Sequence, residues 1–290
     1  MGKYAEILKE YNFILSDQEI KTEIQKIQSE SKASKEIFKS LFGCIDLTSL
    51  NTTDTNAEIE KMVEKLNTFK QQFNDMPNVA GICVYPAFVE TVKKNLTETG
   101  VDIVSVAGGF PSSQTFPEIK IAETALAVAD GAQEIDVVIS VGKFLEGNYD
   151  GVGEELEEIK QACRNAKLKV ILETGALKSA SDIYKAGIIA MYAGADFIKT
   201  STGKVQVNAT PEAAYVMCKS ISDFYQKTNT KVGFKAAGGI AASNDALIYY
   251  GIVEKLLGKD SLNGHFFRIG ASRLANDLLS NIYEKTIKFF

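Results

Sequence analysis

The sequence predicts an α/β protein built as one (β/α)8 barrel with an N-terminal helical extension. Eight short apolar or β-branched runs follow one another from Cys44 onward, and longer amphipathic stretches separate them. The runs end near positions 46, 83, 107, 136, 173, 199, 235 and 270, so each interval has room for one strand, one helix and two loops. Eight such units favour a closed barrel, although this spacing alone is also compatible with a doubly wound open sheet.

Each run has the length and composition of a buried strand. The helices between them are less sharply marked, but Thr210-Pro211 predicts a helix start, because threonine caps the first turn and proline tolerates the first helical position. The predicted strands are Cys44–Thr48, Val79–Tyr85, Asp102–Ala107, Gln133–Ile139, Leu168–Glu173, Ala195–Lys199, Val232–Ala236 and Phe267–Gly270.

Residues 1–40 are predicted to be helical. Apolar residues recur at helical spacing from Tyr4 to Ile14, and Ser16 with Glu19 forms a capping-box signature before a second apolar series. Since we find no low-complexity linker, the sequence indicates a helical extension over residues 1–40 and a barrel domain over residues 41–290.

Composition and charge argue against several classes of function. The formal net charge of -5 is unfavourable for a nucleic-acid-binding surface, and the sequence has no apolar run long enough to span a membrane and no secretory signal. The four cysteines form no CxxC pair and His265 is the only histidine, so we expect no Cys/His metal site. Free thiols favour a reducing compartment, and we expect a cytoplasmic protein. Assembly cannot be read from the sequence, and a homodimer is one open possibility.

Charged residues end four of the predicted strands: Asp46, Asp136, Lys199 and Lys235. Catalytic groups of such barrels come from the carboxyl ends of the strands. If Lys199 and Lys235 both point inward, each disfavours protonation of the other, and one amine becomes able to attack a carbonyl. A single lysine at a strand end is more often solvated, and Asp136 alone would equally fit a structural ion pair.

Glycine-rich loops follow the last three predicted strands. Loops after strands seven and eight of such barrels commonly bind phosphate through backbone N–H groups, although turns need glycine for other reasons too. The segments are Ser201-Thr202-Gly203-Lys204, Gly238-Gly239 and Gly270-Ala271-Ser272.

Together these segments resemble the class I deoxyribose-phosphate aldolase family, in order from about residue 41 to residue 275. The most specific match is Phe197 to Lys204; the others are Cys44 to Leu50, Ile82 to Pro86, Glu134 to Val138, Glu173 to Gly175, Gly233 to Lys235 and Phe267 to Ser272.

The resemblance implies a fold, a reaction and a set of residues. The fold is the (β/α)8 barrel, and the reaction is reversible cleavage of 2-deoxy-D-ribose 5-phosphate to acetaldehyde and D-glyceraldehyde 3-phosphate without a metal or organic cofactor. It implies that Lys199 forms the Schiff base, Lys235 lowers the pKa of Lys199, and Asp136 relays protons through water. The implied substrate-binding residues are Asp46, Thr48, Cys83, Thr202, Gly203, Lys204, Gly238, Gly239, Gly270 and Ser272.

The sequence departs from the family pattern at three places. Ala236 replaces a proline, Arg273 replaces a small polar residue, and Phe289-Phe290 stands where some members have a tyrosine-bearing tail. Three alternatives stay open beside the aldolase: a Schiff-base aldolase of another sugar phosphate, a non-catalytic sugar-phosphate sensor, and, least favoured, metal-dependent aldol chemistry.

Overall fold

A computed structural model describes residues 2–290, and its centre is a closed barrel of eight parallel strands in the order β1 to β8. The prediction of a (β/α)8 barrel is confirmed. Six of the eight strands end earlier or begin later than predicted, by one or two residues at an end, because the outermost residues form no ladder with a neighbouring strand. The strands are β1 (Ile45–Thr48), β2 (Gly81–Val84), β3 (Asp102–Ala107), β4 (Glu134–Val138), β5 (Lys167–Ile171), β6 (Phe197–Lys199), β7 (Gly233–Ala237) and β8 (Phe267–Ala271).

Helices cover the outside of the barrel, at least one after each strand. Helix α10 begins as its sequence predicts: Pro211 is the first residue, and the Thr210 hydroxyl accepts a hydrogen bond from the Ala213 N–H at 3.1 Å. The helices after β1 are α4 (Asn56–Gln72), α5 (Val89–Asn95), α6 (Pro117–Asp130), α7 (Val141–Leu145), α8 (Tyr149–Cys163), α9 (Ala180–Tyr192), α10 (Pro211–Thr228), α11 (Ser243–Leu257) and α12 (Leu274–Tyr283).

Three helices precede β1: α1 (Lys3–Lys9), α2 (Asp17–Glu30) and α3 (Lys35–Phe42). The predicted capping box at the start of α2 is present, with both the Ser16 and the Glu19 side chains bonded to backbone N–H groups. Helix α1 ends before Ile14, which is 78% exposed and therefore gains nothing from a continued helix. Met1, the first residue of the predicted extension, lies outside the described residues.

The extension is anchored by Tyr4, which is fully buried against α8. Its ring occupies the space beside Gly153, where an added Cβ would approach ring carbons within 2.4 Å. Its hydroxyl donates to Glu157 at 2.6 Å, so the ring is buried while its polar end is satisfied.

Glycines inside the barrel make room for large side chains. An added Cβ at Gly233 would lie 2.3 Å from the Phe197 ring, and one at Gly81 would lie 2.9 Å from the Asp46 carboxylate. At Gly270 it would lie 3.2 Å from Cε of Lys235. Small residues on one strand thus accommodate charged or aromatic residues on its neighbour, and the barrel interior is filled by charged groups as well as apolar ones.

Among residues 2–290, none of the helices combines the length and the apolar character that crossing a membrane requires.

Candidate active site

Two lysines and one aspartate from β4, β6 and β7 meet inside the barrel. Lys199 ends β6 as predicted, whereas Asp136 and Lys235 lie in the middle of their strands. Lys199 and Lys235 are register partners on adjacent strands, and strand alternation turns both side chains into the barrel. Both donate to the same oxygen of Asp136, Oδ2, with Nζ–O distances of 2.8 Å for Lys199 and 2.7 Å for Lys235. The three residues singled out in the sequence are therefore brought together.

A wider ionic network lies beneath this trio. Asp46 pairs with Lys235 and with Arg268, each at 2.5 Å, and Asp136 also accepts from Lys169 at 3.2 Å. Glu134 completes the network, since it contacts both Lys169 and Arg268. Four buried cations (Lys169, Lys199, Lys235 and Arg268) thus face three buried carboxylates (Asp46, Glu134 and Asp136).

This imbalance has an electrostatic consequence. If every group were ionised, the buried interior would carry one excess positive charge, which is unfavourable in a region of low dielectric constant. Release of a proton by one lysine removes the excess. The lysine with the fewest carboxylate contacts is the one expected to be neutral, and Lys199 contacts Asp136 alone.

The pKa shifts follow this reasoning. Burial lowers the pKa of the Lys199 amine; Asp136 opposes that shift, and the positive charge of Lys235 adds to it. For Lys235, burial also acts to lower the pKa, but Asp136 and Asp46 together raise it above its ordinary value. Burial alone would raise the pKa of Asp136, yet Lys169, Lys199 and Lys235 hold it well below its usual range. Of the two amines, that of Lys199 is therefore the one that loses its proton more readily.

Lys199 is one wall of an open cavity at the carboxyl end of the barrel, with a volume of about 210 Å³. Most of the residues predicted to bind substrate lie on its wall: Thr48, Thr202, Gly203, Lys204, Gly238, Gly239, Gly270 and Ser272.

Two other predicted substrate-binding residues lie elsewhere. Asp46 is fully buried between Lys235 and Arg268, and its carboxylate forms an ion pair with each of them. Cys83 is fully buried on β2 among Leu50, Val104 and Val106, and burial raises the pKa of its thiol. Neither side chain is on the cavity wall within the described part of the chain.

The glycine loops have the backbone geometry that an anion site needs. Gly203, Gly238 and Gly239 have φ values of 79°, 91° and 84°, a backbone conformation that residues other than glycine rarely adopt. Lys204 reaches across the cavity mouth and donates to the Leu50 carbonyl oxygen.

Glu173, between β5 and α9, holds one of these loops in place. Its buried carboxylate accepts hydrogen bonds from the Thr202 N–H at 3.2 Å and from the Thr202 hydroxyl at 2.7 Å. Its own backbone has φ = 53°, an uncommon conformation for glutamate, and the double contact holds the residue there. The sequence analysis did not predict this role.

Lys169, Glu134 and Arg268 were also missed by the sequence analysis. Each is a charged residue inside a largely apolar strand. Two of them lie two positions before another inward-facing residue: Glu134 before Asp136, and Arg268 before Gly270. That alternation was the available signal. Lys169 is the second residue of the predicted fifth strand, and a lysine so close to a strand end is usually solvated.

The residues that depart from the family pattern lie at three separate places in the structure. Ala236 continues β7 and pairs with Ile269 of β8, so the strand is intact without proline. Phe289 and Phe290 pack on Phe69 and are hydrogen-bonded to Asn276. Neither phenylalanine is on the cavity wall, whereas Arg273 is.

Within residues 2–290, no group of three or more His, Cys, Asp or Glu side chains is arranged to hold a metal ion. The single histidine, His265, lies in the exposed loop before β8.

Comparison with known proteins identifies the family. Residues 41–249 match the model of the DeoC/LacD family aldolases. The chain belongs to the DeoC/LacD family of aldolases. Curated relatives of this family member include the deoxyribose-phosphate aldolases of Bos taurus (44% identity, covering 83% of this chain and 79% of the relative) and Homo sapiens (43% identity, covering 82% and 78%).

Solved structures agree with the barrel of this DeoC/LacD family aldolase. A protein described as "QR15, an Aldolase" superimposes with a TM-score of 0.67 at 29% identity, covering 84% of this chain and 96% of that one. The deoxyribose-phosphate aldolase of Aeropyrum pernix, described as having a unique tetrameric structure, gives a TM-score of 0.69 at 24% identity and covers 92% and 98%. At that identity the second likeness concerns the fold.

Proposed function

We propose that this aldolase reversibly cleaves 2-deoxy-D-ribose 5-phosphate to acetaldehyde and D-glyceraldehyde 3-phosphate, with Lys199 as the Schiff-base lysine. The observation that carries the proposal is a buried lysine with a lowered pKa on the wall of a cavity that is also lined by the three glycine loops. The names of the curated relatives support the choice of substrate.

The reaction begins at the amine of Lys199. The neutral amine attacks C1 of the open-chain aldehyde, and loss of water gives an iminium ion. A base removes the proton of the C3 hydroxyl group, the C2–C3 bond breaks, and its electron pair moves toward the iminium nitrogen as an enamine. D-Glyceraldehyde 3-phosphate leaves, C2 of the enamine is protonated, and water releases acetaldehyde and the free amine.

Asp136 and Lys235 support this sequence in different ways. Lys235 remains protonated and disfavours a second positive charge on Lys199, so the pKa of the nucleophile is lowered and more of it is uncharged. Asp136, which contacts both amines, passes protons to and from the substrate through water. Asp46 is assigned a positioning role, since it holds Lys235 from the side opposite Asp136.

The remaining proposed contacts bind the sugar phosphate. Thr48 and Thr202 face the carbon chain, and Cys83 packs behind them as a buried wall. The phosphate is held by backbone N–H groups of the glycine loops, by the Ser272 hydroxyl and by the ammonium group of Lys204. On binding, Lys204 exchanges the Leu50 carbonyl oxygen for the phosphate.

Product analysis tests the function. We expect the wild-type protein to release acetaldehyde from 2-deoxyribose 5-phosphate and Lys199→Ala to release none while keeping its circular dichroism spectrum. Lys94→Ala, which removes an exposed lysine paired with Glu90, is the matched control and should keep full activity. Cleavage that yields a longer donor than acetaldehyde would assign the protein to another sugar phosphate, and calorimetric binding without turnover would make it a sensor.

We also propose that the protein is a homodimer. Three of its large exposed apolar side chains lie at α6: Phe116 (74% exposed) is the N-cap of the helix, and Ile119 (54%) and Leu126 (66%) lie on one face of it. A two-fold contact is self-complementary, so one such stripe can cover the same stripe of a second copy. Light scattering on Ile119→Glu should give the monomer mass where the wild type gives the dimer; equal masses would contradict the proposal.

We also propose a division of the chain into two parts and a cellular location. Residues 1–40 form a helical extension and residues 41–290 the aldolase domain, although α3 runs past that limit to Phe42. The location is proposed to be cytoplasmic, because the four cysteines are free and buried, as in proteins of reducing compartments.

A further inference from the structure

Arginine is rare in this chain, and one arginine lies at the cavity. Of the 32 Lys and Arg residues three are arginines, namely Arg164, Arg268 and Arg273. Arg268 belongs to the buried ionic network, where a planar group with several donors serves three carboxylates at once. Arg273 is on the cavity wall beside Ser272.

The charge of the cavity wall is strongly one-sided. Its ionisable residues are Lys199, Lys204 and Arg273, and within the described chain no carboxylate lines it. This contrasts with the net charge of -5 of the protein as a whole. A wall of this kind attracts an anion, and the two lysines already have partners in Asp136 and the Leu50 carbonyl group.

Arg273 differs from those lysines because its guanidinium group has no hydrogen-bond partner in the described part of the chain. Across residues 2–290 no side chain or backbone group forms a hydrogen bond or an ion pair with this guanidinium group, and Arg273 is exposed. Its backbone is the N-cap of α12, so the side chain starts from the rim formed by Gly270 and Ser272. An unpaired guanidinium at this rim can form two parallel hydrogen bonds to a phosphate, which an ammonium group cannot do.

We propose that Arg273 is the residue that sets the selectivity of this protein for a phosphorylated sugar over the same sugar without phosphate. The inference rests on the proposed function and deepens it, since the other two basic residues of the wall, Lys199 and Lys204, already have hydrogen-bond partners. Arg273 closes on the terminal phosphate dianion of the substrate, whereas the reacting C1 to C3 atoms remain at Lys199.

The test compares two substrates. The ratio of kcat/KM for 2-deoxyribose 5-phosphate to that for 2-deoxyribose should fall about 10- to 100-fold in Arg273→Ala, the range of one charge-assisted hydrogen-bonded pair. Arg273→Lys should recover part of the ratio, because the charge remains and the bidentate geometry is lost. Arg164→Ala, at the end of α8, is the matched control and should leave the ratio unchanged.

A ratio that is unchanged in Arg273→Ala, or equal losses on both substrates, would overturn the proposal, because the first excludes phosphate contact and the second indicates a structural role. Inorganic phosphate provides a readout independent of turnover: its Kd, measured by calorimetry, should rise at least tenfold in Arg273→Ala. A wild-type protein that binds phosphate in this arginine-dependent way but cleaves neither sugar would refute the proposed aldolase function and leave the role of Arg273 supported. A Kd for phosphate that is unchanged in Arg273→Ala would refute the role of Arg273.

Discussion

Replacement of Asp136 by asparagine should destabilise the protein in a strongly pH-dependent manner. The carboxylate is fully buried and contacts three lysines, Lys199 at 2.8 Å, Lys235 at 2.7 Å and Lys169 at 3.2 Å. Removing one partner of a buried ion pair leaves uncompensated charge, and such changes typically cost about 3–5 kcal/mol. We expect a loss of that size for Asp136→Asn at pH 6.

The pH dependence follows from the lysines that remain. Without the carboxylate their pKa values in the folded state fall below the unfolded value of about 10.4, so the unfolded state binds more protons and stability rises with pH. In the wild type Lys199 alone of the three has a lowered pKa. The pKa values of Lys169 and Lys235 are raised, so these two groups stay protonated in both states between pH 6 and pH 9. The difference between variant and wild type should therefore shrink by at least about 1.4 kcal/mol over this range, which corresponds to one pKa unit.

Urea unfolding followed by circular dichroism at pH 6, 7.5 and 9 measures the effect. Glu90→Gln, which removes an exposed carboxylate paired with Lys94, is the control and should change nothing measurable. A difference for Asp136→Asn that stays constant across these pH values would refute the electrostatic reasoning, since it would mean that the lysines do not titrate in the folded variant.

Three further predictions concern single contacts. Lys235→Met should move the acidic limb of the kcat/KM profile to higher pH, because the like charge that lowers the pKa of Lys199 is gone; an unshifted limb would count against this role. Glu173→Gln should lower kcat/KM about tenfold, since the two Thr202 hydrogen bonds go to different carboxylate oxygens and the amide replaces one of these acceptors by a donor; Glu173→Ala should be no less affected. Gly153→Ala should expel the Tyr4 ring and make α1 sensitive to limited proteolysis with little change in kcat, whereas a resistant α1 would show that the ring can move aside.

The barrel could be predicted because each strand has a sequence pattern of its own that indicates a strand. A short apolar run followed by an amphipathic stretch needs no information from elsewhere in the chain, and the limits of β3 are those the pattern predicts. The limits of other strands differ because they depend on which residues find a partner in the neighbouring strand, as for Val79, which precedes β2.

The upper part of the site was predictable for a similar reason. Lys199 ends its strand, Lys235 and Asp136 lie two residues before the ends of theirs, and the carboxyl ends of all strands of a parallel barrel meet at one face. The lower part was not, because the contact between Arg268 of β8 and Glu134 of β4 joins strands on opposite sides of the barrel. Such a pair exists only once the barrel closes, and the sequence contains no local sign of its partner.

The measurement that tests the central claim most directly is reductive trapping. The protein is incubated with 2-deoxyribose 5-phosphate, with and without borohydride, and then digested and mapped by mass spectrometry. A covalent adduct that appears with reductant on Lys199 is the result we predict. An adduct on Lys204 or Lys235 would contradict the assignment of the nucleophile, and a folded protein with no adduct would contradict the Schiff-base mechanism itself.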